Sequence, residues 1–250
     1  MKTLVVGASG ATGKQLVNQL LLKNYNVKIV VRSTQNLPNS WEKNKNLERV
    51  TASILDLGDQ EMQALTADCS AIVSCLGHNM SFKGIYGQPR KLVTESVMRL
   101  CKAVQSNAPE SPIKFVLMNT SGNRNRDLEE RISMAEKFVI ASLRLLLPPH
   151  LDNENAADFL RTEIGQDNQF IEWTAVRPDG LVDNNEITPY DIQTSPTRSA
   201  IFNAGKVSRI NVSHFMYLLI SSDGLWNKWK GKMPVIYNKT AEKNKRSKTL

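Results

Sequence analysis

The sequence predicts an α/β domain of the doubly wound kind, in which a mostly parallel sheet carries helices on both faces. Three observations predict it. An apolar run over residues 3–6 meets Gly7-Ala8-Ser9-Gly10-Ala11-Thr12-Gly13 and passes directly into an amphipathic run through Leu16, Val17, Leu20 and Leu21. A second apolar run, 27–31, follows one crossover later. Beyond it, short apolar runs and stretches of helical spacing alternate through the first half of the chain, the rhythm of strand–helix–strand units.

In chain order, residues 47–51 read as the third strand, 59–65 as a short helix capped by Asp59, and 71–76 as the fourth strand. Residues 88–104 have helical spacing through Leu92, Val93, Val97, Leu100, Cys101 and Val104, and 113–118 is an apolar fifth strand. The run 138–147 and a following helix through Phe159 and Leu160 cover one wall, 170–176 is the sixth strand, and 207–215 leads from a strand into a helix. No repeat or linker divides the chain. Residues 1–238 therefore read as one domain, with its substrate side from about residue 122 onward and a small C-terminal part added to it.

The formal charge of +8 is concentrated at the C-terminal end, where residues 224–250 hold eight basic side chains against Glu242. Residues 239–250 have almost no apolar side chains and read as a basic, disordered tail, without the interleaved aromatics of a nucleic-acid arm. Composition is that of a globular protein, with 41% hydrophobic and 22% charged residues. The run 138–147 is broken by Arg144 and stopped by Pro148-Pro149, too short for a membrane span. Met1 leads straight into a core strand, and Cys69, Cys75 and Cys101 are an odd set at unpatterned spacing, so a cytoplasmic protein with reduced thiols is expected. No metal site is expected.

The glycine turn carries the chemistry. Gly7 makes the strand-to-helix turn, Gly10 lets a pyrophosphate approach the backbone, and Gly13 lets the helix lie close to the sheet. Ser9, Ala11 and Thr12 complete the turn, and the free N–H groups of the helix beginning near Ala11 point at the phosphates. This predicts a dinucleotide fold. The second strand ends Val31-Arg32-Ser33, with no acid to take a ribose 2′-OH, so Arg32 and Ser33 favour NADP(H) over NAD(H).

The pattern Gly-x-x-Gly-x-x-Gly, within the run LVVGASGATGKQLV, resembles the extended and atypical short-chain dehydrogenase/reductases, above all the NmrA-like and flavin or biliverdin-IX-beta reductase-like group. That resemblance implies a Rossmann fold and assigns further positions. Ser53, where the group carries aspartate, would hydrogen-bond the adenine and Ile54 would flank it. Leu76 and Gly77 would turn against the cofactor ribose. His78 follows as a proton donor, a substrate ligand or an ordinary loop residue. Asn119-Thr120-Ser121 matches the catalytic-serine segment, with Ser121 its candidate catalytic residue and Asn119 and Thr120 beside the cofactor. No Tyr-x-x-x-Lys occurs, and Asn153 stands where the lysine would, able to hydrogen-bond a ribose without charge. Arg177-Pro178-Asp179-Gly180-Leu181 is similar to the group's Arg-Pro-Gly-Gly-Leu, placing Pro178 at the nicotinamide pocket. Arg124 and Arg126 either meet an anionic substrate or lie in a solvated loop.

Two functions fit this reading. One is an NADPH-dependent reductase of a small conjugated or aromatic substrate, in which hydride passes directly without a Tyr-x-x-x-Lys acid. The other is a non-catalytic NADP(H) sensor that acts through a protein partner. Neither calls for a membrane or a nucleic acid.

Overall fold

The computed structural model describes residues 2–78, 81–130 and 133–239. Of the expected basic tail only Lys239 falls within them; 240–250 lie outside the described residues. The strands are β1 (Lys2–Val6), β2 (Asn26–Val31), β3 (Leu47–Thr51), β4 (Ala71–Ser74), β5 (Ile113–Met118), β6 (Ile171–Pro178), β7 (Gly180–Val182), β8 (Tyr190–Gln193), β9 (Lys206–Ser208) and β10 (Val235–Asn238). The helices are α1 (Ala11–Leu22), α2 (Asp59–Thr66), α3 (Phe82–Tyr86), α4 (Leu92–Asn107), α5 (Met134–Leu146), α6 (Pro148–Phe159), α7 (Arg209–Ser221) and α8 (Asp223–Trp229).

Among the described residues, eight strands form one sheet in the order β3-β2-β1-β4-β5-β6-β10-β8, parallel except where β8 runs antiparallel to β10 at the edge. The direction of winding reverses between β1 and β4, and open α/β sheets bind ligands outside the carboxyl ends of strands at such a point. Alternation along β1 sends Leu4 and Val6 to one face and Val5 to the other. Both faces are closed. Leu4, Ile72, Phe115 and Trp173 pack under α2, α4 and α6, while Val5, Ile29, Val73 and Val116 pack under α1, α7 and α8. Each fully buried side chain of this size stabilises the fold by about 1.5–3 kcal/mol, which is why the central strands read as unbroken apolar runs.

Three boundaries differ from the sequence expectation. Helix α2 is capped at Gly58 and not at Asp59, because the Glu61 carboxylate accepts the Gly58 N–H at 2.6 Å. Helix α4 begins at Leu92, where the buried Asp152 carboxylate accepts the N–H groups of Val93 (2.8 Å) and Thr94 (2.9 Å) from another helix. The fourth strand ends at Ser74, freeing Cys75, Leu76 and Gly77 to line a cleft.

Candidate functional site

Gly7 has φ +77°, the left-handed region, and a Cβ there would lie 2.5 Å from the Cys75 carbonyl carbon. A Cβ on Gly13 would lie 2.2 Å from the Gly7 oxygen. These two glycines hold α1 and its turn against the sheet. Gly10 differs, since a Cβ there would meet only the Gly7 oxygen at 3.2 Å. It opens on a cleft of about 170 Å³ whose walls include Ser9, Arg32, Ser53, Ile54, Leu76 and Gly77. Helix α1 starts beside it with no side-chain cap and no acid in its first turn. An uncapped N-terminus facing a hollow is a ready anion site, and the residues present fit a dinucleotide pyrophosphate.

The two ends of this cleft are held differently. Arg32 is exposed at the tip of β2 and has no protein partner among the described residues, while the Ser33 hydroxyl accepts the Gln35 N–H at 3.3 Å. Ser53 and Ile54 sit on a turn fixed from below by Arg99, which donates to the carbonyls of Ile54, Leu55 and Leu57. Burial pushes the Cys75 thiol up to about 12, so it is no nucleophile there.

A second recess, of about 400 Å³, lies at the carboxyl ends of β5 and β6, among Asn119, Thr120, Ser121, His150, Pro178 and Leu181. It adjoins a lobe of about 340 Å³ that shares Ser121 and Gly122 and adds Arg124, Glu136 and Arg198. The Ser121 hydroxyl donates to Asp179 at 3.1 Å, and the same carboxylate accepts the Gly180 (2.9 Å) and Gly205 (2.7 Å) N–H groups. Behind it the fully buried Arg177 forms a two-pronged pair with Glu130 (2.7 and 3.1 Å) and donates to the carbonyls of Asn123, Thr194 and Met233. One guanidinium thus ties the loop after β5 to the segments beside β8 and β10.

Several expected site residues are engaged elsewhere. His78 turns from the cleft and pairs through Nε2 with Asp152 at 2.8 Å, its side chain 5% exposed, so it pins the loop after β4 to the start of α4. The Asn153 amide donates to the Pro149 carbonyl within its own helix, and its backbone oxygen holds the Asn119 amide at 2.8 Å. One of its two amide N–H groups is thereby committed within the helix. Asn119 in turn accepts the Thr120 N–H and the Asn123 amide, organising the loop that presents Ser121. Arg126 pairs with Asp158 at 2.8 Å, whereas Arg124 lines the lobe with its Nε buried and unpartnered.

Two features of the recess went unread in the sequence. Asp179 was visible only as the departure from Arg-Pro-Gly-Gly-Leu. His150 and Glu154, spaced i,i+4 on α6, gave a helix-face signal, but the wall they would line becomes apparent only with the fold. Glu154 is 1% exposed and takes Nε and Nη2 of Arg144 at 2.7 and 3.1 Å. Burial drives its carboxyl pKa up, but the His150 ring and the Arg144 guanidinium outweigh this and hold it down at about 2.

A family model described as NAD(P)H-binding matches residues 7–223. An uncharacterized chloroplastic protein of Arabidopsis thaliana is 29% identical over 119 residues, a match covering 48% of this chain and 41% of that protein. Among solved structures, the oxidoreductase ylbE of Lactococcus lactis is similar at TM-score 0.68 and 18% identity, covering 96% of this chain and 92% of that one. A short-chain dehydrogenase/reductase of Veillonella parvula, in complex with NADP, is similar at TM-score 0.68 and 14% identity (95% and 94% covered). ChuY, an anaerobilin reductase of Escherichia coli O157:H7, is similar at TM-score 0.66 and 16% identity (96% and 100% covered). At these identities the structural likenesses show the fold.

Proposed function

The chain belongs to the NAD(P)H-binding family, and on that premise we propose that it is an NADPH-dependent reductase of a small conjugated or aromatic substrate, acting by direct hydride transfer without a Tyr-x-x-x-Lys acid. One observation carries the reading: the Gly10 cleft and the Ser121 recess open on the same carboxyl edge of the sheet, one on the phosphate-binding turn and one at the ends of β5 and β6. Gly10 and the start of α1 hold the pyrophosphate, Arg32 the 2′-phosphate, Ser53 and Ile54 the adenine, and Leu76 and Gly77 the ribose. Asn119, Thr120 and Pro178 border the nicotinamide. When bound, the reduced dinucleotide supplies a hydride.

Ser121 orients substrate. Its proton is directed at Asp179, so its oxygen offers lone pairs to the recess, and a substrate N–H or O–H is the group it suits. NADP complexed with the Veillonella parvula protein supports the cofactor, and the anaerobilin reductase among the structural neighbours supports the reaction class. The experiment is NADPH consumption by the purified protein with flavins, quinones and tetrapyrroles offered in turn. Consumption above a protein-free control is expected with at least one class, and none with any would defeat the reading.

The sensor reading has one observation in its favour. Along α5, Met134, Phe138 and Leu145 are 76%, 76% and 83% exposed at helical spacing, an apolar stripe of the kind protein partners cover.

A further inference from the structure

We propose that His150 is the proton donor of this site, an imidazolium held by Glu154 and presented through Nδ1 to a carbonyl or imine of the substrate beside Ser121. The proposal rests on the reductase reading above. The chain has three histidines. His78 is tied to Asp152, and His214 on α7 bonds the Tyr190 hydroxyl at 2.9 Å; neither borders the recess. His150 does. A methyl group added at Gly122, the residue after Ser121, would lie 3.7 Å from His150 Cε1.

The ring is oriented from behind. Nε2 is buried and makes no hydrogen bond, its nearest polar neighbour being Glu154 Oε1 at the ion-pair distance of 3.5 Å, one helical turn along α6. Nδ1 makes no hydrogen bond with a described residue, so it is the nitrogen left to serve the recess. A carboxylate as buried as Glu154 needs cationic partners, and Arg144 reaches it from α5 while His150 reaches it from its own helix. The start of α6 disfavours positive charge on His150. Glu154 offsets that, and the other charged group bordering the recess, Asp179, is already committed to Ser121 and two backbone N–H groups. An imidazole backed by a carboxylate and facing the reacting group is the arrangement that general acid–base catalysis uses.

The recess thereby offers one donor, His150 Nδ1–H, and one acceptor, the Ser121 oxygen. It suits a conjugated carbonyl or imine carrying a neighbouring N–H or O–H. In the reduction one end of the substrate's conjugated system, a carbon or a flavin's N5, takes the hydride, the π pair moves onto oxygen or nitrogen at the other end, the Nδ1–H bond breaks and the new O–H or N–H bond forms. Reduced nicotinamide dinucleotide is the reductant and ends oxidised. The neutral imidazole regains its proton from water.

The test has two arms. In the first, long-range proton–nitrogen spectra of the nucleotide-free protein, with His150→Gln to assign the signal, are expected to show neutral His150 as the Nε2–H tautomer. An Nδ1–H tautomer would overturn the proposal. In the second, NADPH is the reductant with menadione and FMN as acceptors. His150→Gln is expected to lower kcat about a hundredfold or more in a variant that still folds, by circular dichroism, and still binds NADPH. The wild-type rate should fall as pH rises, a fall the variant lacks, and imidazole in the buffer should restore His150→Ala. An active wild type with an equally active His150→Gln would overturn this assignment alone. A wild type that binds NADPH but reduces neither acceptor, nor any of the wider panel, would overturn the reductase reading and this role with it.

Discussion

The proposed preference for NADPH rests on Arg32, which has no partner among the described residues at the tip of β2, where a ribose-binding acid would otherwise be. Arg32→Ala is expected to weaken NADPH binding about ten- to a hundred-fold, the worth of a charge-assisted contact, and to leave NADH nearly unchanged in calorimetric titration. Ser121→Ala is expected to slow turnover only about tenfold, since a lone hydroxyl directed at Asp179 orients substrate and relays no proton. Two buried carboxylates govern stability. Glu130→Ala strands the Arg177 guanidinium and should cost about 3–5 kcal/mol in urea unfolding. Glu154 has a folded pKa near 2 against 4.5 for the free group, so its contribution is present above pH 4.5 and is lost as pH falls toward 2. Glu154→Gln should flatten that part of an acid-unfolding profile. The glycine turn was legible because backbone sterics restrict those positions to one residue type, and Arg32 was placed beside the cleft by its position at the end of an apolar strand. Asp179 and Arg177 were not legible, because partners of each lie on other elements, and His150 was not, because the recess it borders forms only with the fold.

At the level of elements, the β1 turn and α1 separate folding from binding. Valine at Gly7 or Gly13 would drive Cβ into backbone within 2.5 Å, so those variants should lose most of their stability. Gly10→Val has only the Gly7 oxygen in its way and should fold, with a normal circular dichroism spectrum, yet lose dinucleotide binding because the side chain fills the cleft. Normal binding by that folded variant would place the pyrophosphate elsewhere. The first six strands were readable because burial on both faces leaves continuous apolar runs such as 113–118. The short strands β7 and β8 were not, whereas β9 was read as the strand that leads into the helix over 207–215. Each has three or four residues, and β8 is half-buried along its length at the antiparallel edge, so neither period nor apolarity distinguishes it from loop. The start of α4 was misread for a related reason: the carboxylate that accepts its first N–H groups is Asp152, 59 and 58 residues from Val93 and Thr94 in the chain, and no local pattern announces it.

Across the whole molecule, the β1/β4 reversal and the ends of β5 and β6 set two hollows on one edge of the sheet, and Arg177 locks the C-terminal segments against that edge. The alternation of strands and helices was enough to anticipate this layout, since parallel neighbours need crossovers and crossovers put loops at the carboxyl edge. The account's central claim is that the cleft and the recess are two ends of one dinucleotide site. A crystal structure of the protein grown with NADP⁺ tests it most directly. The pyrophosphate is expected at Gly10 and the start of α1, the 2′-phosphate on Arg32, and the nicotinamide in the recess beside Ser121, Pro178 and His150. A dinucleotide bound with its nicotinamide outside that recess, or with the 2′-phosphate away from Arg32, would contradict it.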